Sequence, residues 1–459
     1  MPRTLIIPLI VACALFMENM DATVIATSLP VMARELGQSP ITLKLALTAY
    51  VVGLGVFIPV CGWMADRFGP RSVFCSAIGV FIAGSLLCAI STTLSAFVAA
   101  RFLQGVGGAM MVPVGRIIIF RAVPREELVK AVGYLTLPAL LGPIIGPPLG
   151  GFITTYFHWR WIFLVNIPVS VLGLYLARKY IDNTREHGAS ALDVAGFLLS
   201  AIGSSLAMLG FAMLGSPLVP HWLAGGMSIV GIALLLGYFA YARGQDKPLL
   251  DLRFLRIPTF HASVVGGALF RIGLGATPFI LPLALQEGMG MSPFHSGAIT
   301  CASAFGAIFM KTLAPHALRR WGFRQVLIVN ALLSGLALMA YGLFNPAMPV
   351  WLMVAIVTLG GVFPALQFTA LNSVVYADIR HEDAGRATSL ASVVQQLSLG
   401  TGVIVAGMAL QLSSHVQGHR DLNASDFWPV FILIGLFSIA SIFLTRRLPH
   451  DAGKAMAQG

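Results

Sequence analysis

Gly142-Pro-Ile-Ile-Gly146-Pro147-Pro-Leu-Gly150-Gly151 lies inside a long apolar segment. In water so many Gly and Pro residues would break a helix, whereas in a bilayer neighbouring helices re-satisfy the backbone groups that proline leaves free. Glycine at 142, 146 and 150 makes a small-residue stripe on one helical face, along which a second helix can approach closely, while Pro143, Pro147 and Pro148 bend the axis. The segment reads as a packed, bent pivot within a membrane bundle. On spacing alone, an ordinary close contact between two helices is the plainer alternative.

The rest of the chain agrees with a membrane setting. Hydrophobic residues make up 57% and charged residues only 10%, against about 25% charged in a globular domain, and the mean hydropathy is +0.85. Fourteen apolar stretches, each long enough for a hydrocarbon core of about 30 Å, are expected at about 5–28, 46–65, 73–91, 95–119, 131–153, 161–178, 193–214, 222–242, 259–282, 296–314, 325–343, 349–374, 388–411 and 427–445. An even number places both termini on one side. Of the 29 Lys and Arg residues, only Arg34, Lys44, Arg160 and Arg420 fall in breaks on the other side, and Arg101, Arg116, Arg271 and Lys311 fall within spans. This bias predicts both termini inside. The net charge of +11 is dispersed in short loops, so it reports insertion and contact with anionic headgroups and excludes a nucleic-acid partner. Met1 to Leu29 has some features of a signal peptide, but Glu18 and Asp21 interrupt its apolar run and another span follows, so it reads as a retained first span.

Several function classes drop out. Five scattered cysteines, Cys13, Cys61, Cys75, Cys88 and Cys301, have no metal-ligand spacing. His415 and His419 stand four apart with no third ligand evident. There is no phosphate-cradling Walker string, and Gly105-Val-Gly107-Gly108 lies in an apolar helix and not after a strand. Neither an ATP-driven pump, nor an enzyme, nor a bound cofactor or metal is expected.

The chain also repeats itself. Gly62-Trp-Met-Ala-Asp66-Arg67-Phe-Gly69-Pro-Arg71 joins spans 2 and 3, and a degenerate counterpart, Ala317-Leu-Arg319-Arg320-Trp-Gly322-Phe-Arg324, joins spans 10 and 11. The repeat implies an N-terminal six-helix half, 1–190, and a C-terminal six-helix half, 250–459, with two inserted transmembrane helices in 191–249. In the first loop Asp66 sits at a helix end, and Arg67 and Arg71 can reach carboxylates or helix C-termini on neighbouring spans to form a gate. The alternative is that the two arginines are only positive-inside anchors.

Taken together, these strings resemble the fourteen-span drug:proton antiporter family of the major facilitator superfamily, the EmrB and QacA group, with its MdtD-like branch nearest. The resemblance covers essentially the whole chain. It is carried by Met20-Asp21-Ala-Thr23-Val24 with Leu29-Pro30, the Gly62 to Arg71 loop, Arg101-Phe-Leu-Gln104-Gly105-Val-Gly107-Gly108 through Pro113 and Arg116, the Gly142 to Gly151 string, and Trp159-Arg160-Trp161 with Asn166-Ile-Pro168. It departs at Pro70, where the family loop usually carries a base, and at Glu18, where the branch more often has a neutral residue. The resemblance implies an all-α polytopic fold of two six-helix halves plus two inserted helices. The Gly142 to Gly151 string is similar to the family's fifth-span antiporter motif, which implies export in exchange for protons.

Intramembrane charges then nominate the working residues. Glu18 and Asp21 are three apart on one face of span 1, where charge is expensive. Arg101, on span 4, is expected at a similar depth. Cation and dry surroundings act in opposite senses on such a carboxyl group, so local rearrangement can load or release its proton; a permanently ionised structural pair is the alternative. Arg271 falls near the middle of span 9, about 24 Å from Glu287 along the helix at roughly 1.5 Å per residue, so it should face a wet cavity or another helix. Gln104, Met110, Met111, Phe270 and Gln367 are candidate cavity lining, with simple packing the alternative for the Met and Phe residues. The function expected is a proton-coupled secondary efflux transporter of multidrug type in the bacterial inner membrane, working by alternating access on a small solute. Export of an anionic metabolite, such as an organic acid or a metal-bound carboxylate, is the runner-up. A membrane sensor or an accessory to an export complex is the reading from another class, and an export-complex partner is left open.

Overall fold

The computed structural model describes residues 3–124, 128–183, 192–214, 216, 219–245, 248–380, 383–419 and 422–449, with side chains at all of these except 3–5 and 128–140. Arg420 and the boundary at residue 190 lie outside the described residues. Helices dominate and, among the described residues, no strand occurs. In chain order they are α1 (Ile6–Glu35), α2 (Pro40–Phe68), α3 (Pro70–Ile90), α4 (Leu94–Ala122), α5 (Leu128–Tyr156), α6 (Trp161–Tyr180), α7 (Val194–Met213), α8 (His221–Arg243), α9 (Pro258–Gly288), α10 (Pro293–Leu343), α11 (Val350–Val374), α12 (Ala384–Gln417) and α13 (Ala424–Thr445). All but α5, whose side chains are described only in part, are long and apolar enough to cross a membrane, which makes twelve candidate spans. The chain is thus a multi-pass membrane protein.

Two details bear on the count. The 51 residues of α10 would make a rod of about 77 Å at 1.5 Å per residue, more than twice the apolar thickness. The helix is broken inside, at Gly322, where φ is 72° and ψ 161°. Gly69, between α2 and α3, adopts nearly the same backbone, φ 88° and ψ 140°, a conformation that a side chain disfavours. The two glycines occupy matching places in the repeat read from the sequence, so both loops turn by the same device.

Packing differs between the two ends of the bundle. At the end carrying Arg34, one apolar core runs through both sequence halves, from Leu29, Met32 and Leu43 to Ile280, Leu283, Ile404 and Phe431. At the end carrying Asp66 the described buried residues fall into separate clusters: one, around Phe74, Phe81 and Ile118, belongs to α1–α4 and α6, and others, around Phe270, Leu327 and Phe260, belong to residues beyond 237, with Ile58 of α2 packed against clusters of both kinds. The polar contacts that join the halves also lie at the Arg34 end. Arg34 Nη2 meets Glu287 Oε1 at 2.7 Å, Gln286 Nε2 donates to the Thr27 carbonyl at 2.9 Å, and Phe294 N donates to Thr155 Oγ1 at 3.1 Å. Helix α7 packs against both α2 and α12 and pairs with α8.

Lys44 departs from the sequence expectation. The hydropathy pattern assigned it to a break between spans, yet it is the first residue of a long α-helical stretch of α2 and only 2% exposed. Its aliphatic stem lies against Gly407 of α12. Its Nζ is buried as well, with no hydrogen-bond partner among the described residues, so the bundle takes in the whole side chain and not only the stem that apolar surface readily covers.

Candidate functional site

The charges of α1 and α4 meet inside the first half. Asp21, Arg101, Gln104 and Asn166 are all fully buried. Arg101 Nη1 donates to Asp21 Oδ2 at 2.7 Å and to Gln104 Oε1 at 2.5 Å. Asp21 Oδ1 accepts from Gln104 Nε2 and from Asn166 Nδ2, each at 2.8 Å, and Gln104 Nε2 also reaches Ser85 Oγ at 2.9 Å. Helical spacing explains the convergence: Arg101 and Gln104 are three apart on one face of α4, while Asn166 comes from the start of α6. Buried ion pairs offset their desolvation only when hydrogen bonds satisfy them, and the carboxylate of Asp21 takes three.

The cation is less completely satisfied. Arg101 Nε and Nη2 have no hydrogen-bond partner among the described residues, and the guanidinium carbon stands 4.3 Å from the centre of the Tyr50 ring, a cation–π contact. Glu18 does not join the Asp21 network. Its Oε2 and the Tyr50 hydroxyl are both buried without partners among the described residues, and both side chains approach Gly108, where a methyl group would come 3.2 Å from Tyr50 Oη and 3.7 Å from Glu18 Cγ. The site thus has two parts, an Asp21–Arg101 pair whose carboxylate is fully bonded but whose guanidinium is not, and, near the Tyr50 hydroxyl, a carboxyl group with an oxygen that has no partner among the described residues. Asn166, Tyr50 and Ser85 were not nominated from the sequence. Asn166 alone gave a signal, as an amide at the start of an otherwise apolar span.

The glycine stripe touches the same helix. Added Cβ atoms at Gly142, Gly146 and Gly150 would run into Asn19 and Met20, Thr23, and Val24 of α1 respectively. Gly151 faces the other way, and its Cβ would strike the Pro293 carbonyl of α10. Reciprocally, Gly297 of α10 lies against the Pro147 carbonyl. Long hydrogen bonds accompany the stripe, from Thr23 Oγ1 to the Gly142 carbonyl at 3.4 Å and from Thr27 Oγ1 to that of Pro147 at 3.4 Å. One helix, α1, presents Asp21 to α4 and α6 and its next face to α5.

In the last turn of α2, Asp66 Oδ1 pairs with Arg121 Nη2 of α4 at 2.7 Å. Arg71 Nη1 reaches the Ile181 carbonyl at the C-terminus of α6, at 3.4 Å. Gly69 leaves room for Asn183, which bonds Ser72 and the Phe68 carbonyl. Arg67 is exposed, as an anchor would be, and Gly62 has open space beside it.

The residues nominated around a solute cavity do not form one cluster, and two of them, Met110 and Phe270, are buried in the cores of the first and second halves respectively. Arg271 is 3% exposed; Nη1 donates to the Ser263 carbonyl at 3.3 Å and Nη2 to Asn372 Oδ1 at 3.1 Å, with the Phe368 ring 5.7 Å away. Among the described residues its partners are neutral, and Nε has none. Gln104 is consumed by the Asp21 cluster, and Met111 is fully buried in the core of the first half. Gln367 donates to the Leu327 carbonyl and accepts from Asn330. Arg271, Gln104 and Gln367 therefore bond within their own half, and Met111 packs within its own. At the Arg34 end, His419 Nδ1 pairs with Asp426 Oδ1 at 2.9 Å.

With this geometry in hand, comparison with known proteins is informative. A family model described as Major Facilitator Superfamily matches residues 11–195 and 263–458. A protein of Klebsiella pneumoniae named for multidrug resistance, MdtD, is 39% identical over 455 residues, covering 97% of this chain and 94% of its own. Its Escherichia fergusonii namesake is 37% identical over 459 residues, covering 98% and 95%. Among solved structures, a D-xylose-proton symporter aligns with a TM-score of 0.72 at 16% identity, over 98% of this chain and 99% of its own. The nucleoside transporter NupG aligns at 0.66 and 12% identity, over 97% and 98%. At such identities these two likenesses concern the fold.

Proposed function

The chain belongs to the major facilitator superfamily, and on that premise we propose that it is a proton-coupled secondary efflux transporter of the multidrug type, working by alternating access. The observation that carries the reading is the fully buried Asp21–Arg101 pair on the helix against which the glycine stripe of α5 packs. A proton arriving on Asp21 would cancel its attraction for Arg101 and loosen a helix that α5 holds at close range, so charge and helix packing act on one element. Glu18 stands beside the pair as a second carboxyl group.

Counting α5 and taking α10 as two crossings gives fourteen spans, with two six-helix halves at 1–190 and 250–459. The inserted pair, α7 and α8, falls, except for the first two residues of α7, in the stretch 196–262 that the family model leaves unmatched, which supports its being an addition to the two halves. The excess of Lys and Arg at the Asp66 end supports both termini inside a bacterial inner membrane. With the Arg34 end outward, the single core and the polar contacts there support a state sealed on the outside. Opening outward then requires Gly151 to leave Pro293, Gly297 to leave Pro147 and Arg34 to leave Glu287.

Drug-like solutes are favoured by the names of the relatives. Arg271, with neutral partners only, favours a carboxylate-bearing solute among them, and keeps export of an anionic metabolite as the second reading. The test is efflux by purified protein in proteoliposomes against dyes, organic cations and carboxylates, with internal pH recorded. Solute-dependent proton movement for one class supports the proposal, and transport of every class without proton movement refutes it.

A further inference from the structure

A groove of about 650 Å³ lies on the flank of the first half, between α3 and α6, away from the Asp21 cluster. Its mouth holds Arg71 and Arg178, with Ser72 and Ser76 between them, and its deeper end is bounded by Gly79 and Leu174. From Arg71 to Gly79 is eight residues, or about 12 Å of helix toward the bilayer centre. A Cβ built on Gly79 meets nothing within 4 Å, so that end stays open. The mouth is marked as headgroup-level by its neighbours, since the Lys179 ammonium lies 5.7 Å and 5.4 Å from the rings of Tyr175 and Tyr180, an aromatic and basic girdle of the kind that sits at a membrane surface.

We propose that this groove binds one anionic phospholipid, its phosphodiester between Arg71 and Arg178 and an acyl chain along Gly79 and Leu174. Two guanidinium groups suit a phosphate by geometry as well as charge. Ser72 Oγ already accepts from Asn183 Nδ2 at 2.9 Å, which leaves its proton to donate to a phosphate oxygen. A free inorganic anion would use the mouth but not the open apolar end, and a zwitterionic lipid would use the apolar end but gain less from the arginines. Because Arg71 also reaches the Ile181 carbonyl, the lipid would brace α3 against α6 beside the Asp66–Arg121 contact. None of this depends on which solute is carried.

Native mass spectrometry of the full-length detergent-purified protein, titrated with phosphatidylglycerol or phosphatidylcholine of matched chains, tests the proposal. Phosphatidylglycerol should be retained preferentially. Arg178→Gln should weaken it about fivefold, the contribution of one base near a membrane surface, and narrow the preference. Gly79→Leu, which fills open space and should leave the melting temperature unchanged, should weaken both lipids. Inorganic phosphate should give no thermal protection at concentrations where phosphatidylglycerol does. Equal retention of the two lipids, undiminished binding by Gly79→Leu, or protection by phosphate alone equal to that by the lipid would each overturn it.

Discussion

Replacing Gly146 measures how tightly α5 is keyed to the coupling helix. A methyl group there would overlap Thr23 Oγ1 and lie 3.0 Å from Thr23 Cβ and 3.3 Å from Val24 N, where carbon contacts are comfortable only near 3.5–4.0 Å. Thr23 cannot simply swing aside without giving up the bond of its one hydroxyl hydrogen, whose nearest acceptor is the Asn19 carbonyl at 2.9 Å. The helices must part by roughly 0.5–1 Å, an overpacking cost of about 1–3 kcal/mol for Ala and more for Leu. Asp21 sits two residues from the contact, so the same shift stretches the 2.7 Å bond to Arg101. Gly146→Leu should therefore reach the membrane yet fail in proton-driven efflux, with Gly146→Ala intermediate. Rates in proteoliposomes, normalised to monodisperse protein, give the readout. Gly225→Ala in α8, where an added Cβ meets nothing within 4 Å, is the silent control. Near-normal efflux by Gly146→Leu would refute the reasoning and reduce the stripe to passive packing.

Other substitutions separate the remaining roles. Glu18→Gln should slow proton-driven efflux without the loss of stability expected from breaking the Asp21 network, since its free oxygen gives up no bond; identical losses in melting temperature for both sites would contradict this. If Arg271 contacts the solute, Arg271→Lys should weaken carboxylate binding and Arg271→Ala weaken it further, whereas unchanged affinity for every carboxylate tested would remove it from the site. Gly151→Ala should favour opening at the Arg34 end, seen as faster labelling of a cysteine placed at Thr155; slower labelling would count against the proposed direction of motion. Burial opposes the charge of Asp251 in the loop before α9, but hydrogen bonds and charge from Arg253, helped by Arg386, prevail and hold its carboxyl below the ordinary carboxylate range. Its folded form is thus the stronger acid, so it adds stability above the ordinary carboxylate range that is lost as pH falls through its own titration. Asp251→Asn should lower the melting temperature at pH 7 and converge with the wild type at low pH, and a constant gap across that range would refute it.

Much of the architecture was legible because a bilayer imposes length and polarity on each span. The glycine stripe and the Gly69 and Gly322 repeat are present as geometry, and the nearness of Arg101 to the carboxylates of span 1 is legible from their similar depth together with the family resemblance, which sets spans 1 and 4 in one half. What escaped was whatever depends on neighbours. Asn166 is one amide in an apolar run, and nothing local says that it faces Asp21. Gln104 was given to a cavity although its three-residue offset from Arg101 already put it on the same face. Lys44 was read as loop because the polarity of its tip outweighed the stem that packs on Gly407. The π-helical turns at Ala262–Gly266 and Ala284–Gly288, near both ends of α9, have no sequence signature at all.

The central claim is that Asp21 carries the coupling proton. Asp21→Asn keeps the side chain's size, removes its charge and leaves Arg101 buried without its counter-ion, a loss of about 3–5 kcal/mol when a buried pair is broken. The decisive measurement is solute-induced change of internal pH in proteoliposomes, run beside solute exchange at equal pH on both sides. The account predicts that the Asn variant, checked for intact folding, loses the pH change and all gradient-driven accumulation while still exchanging solute. A variant that moves protons with solute as the wild type does would contradict it.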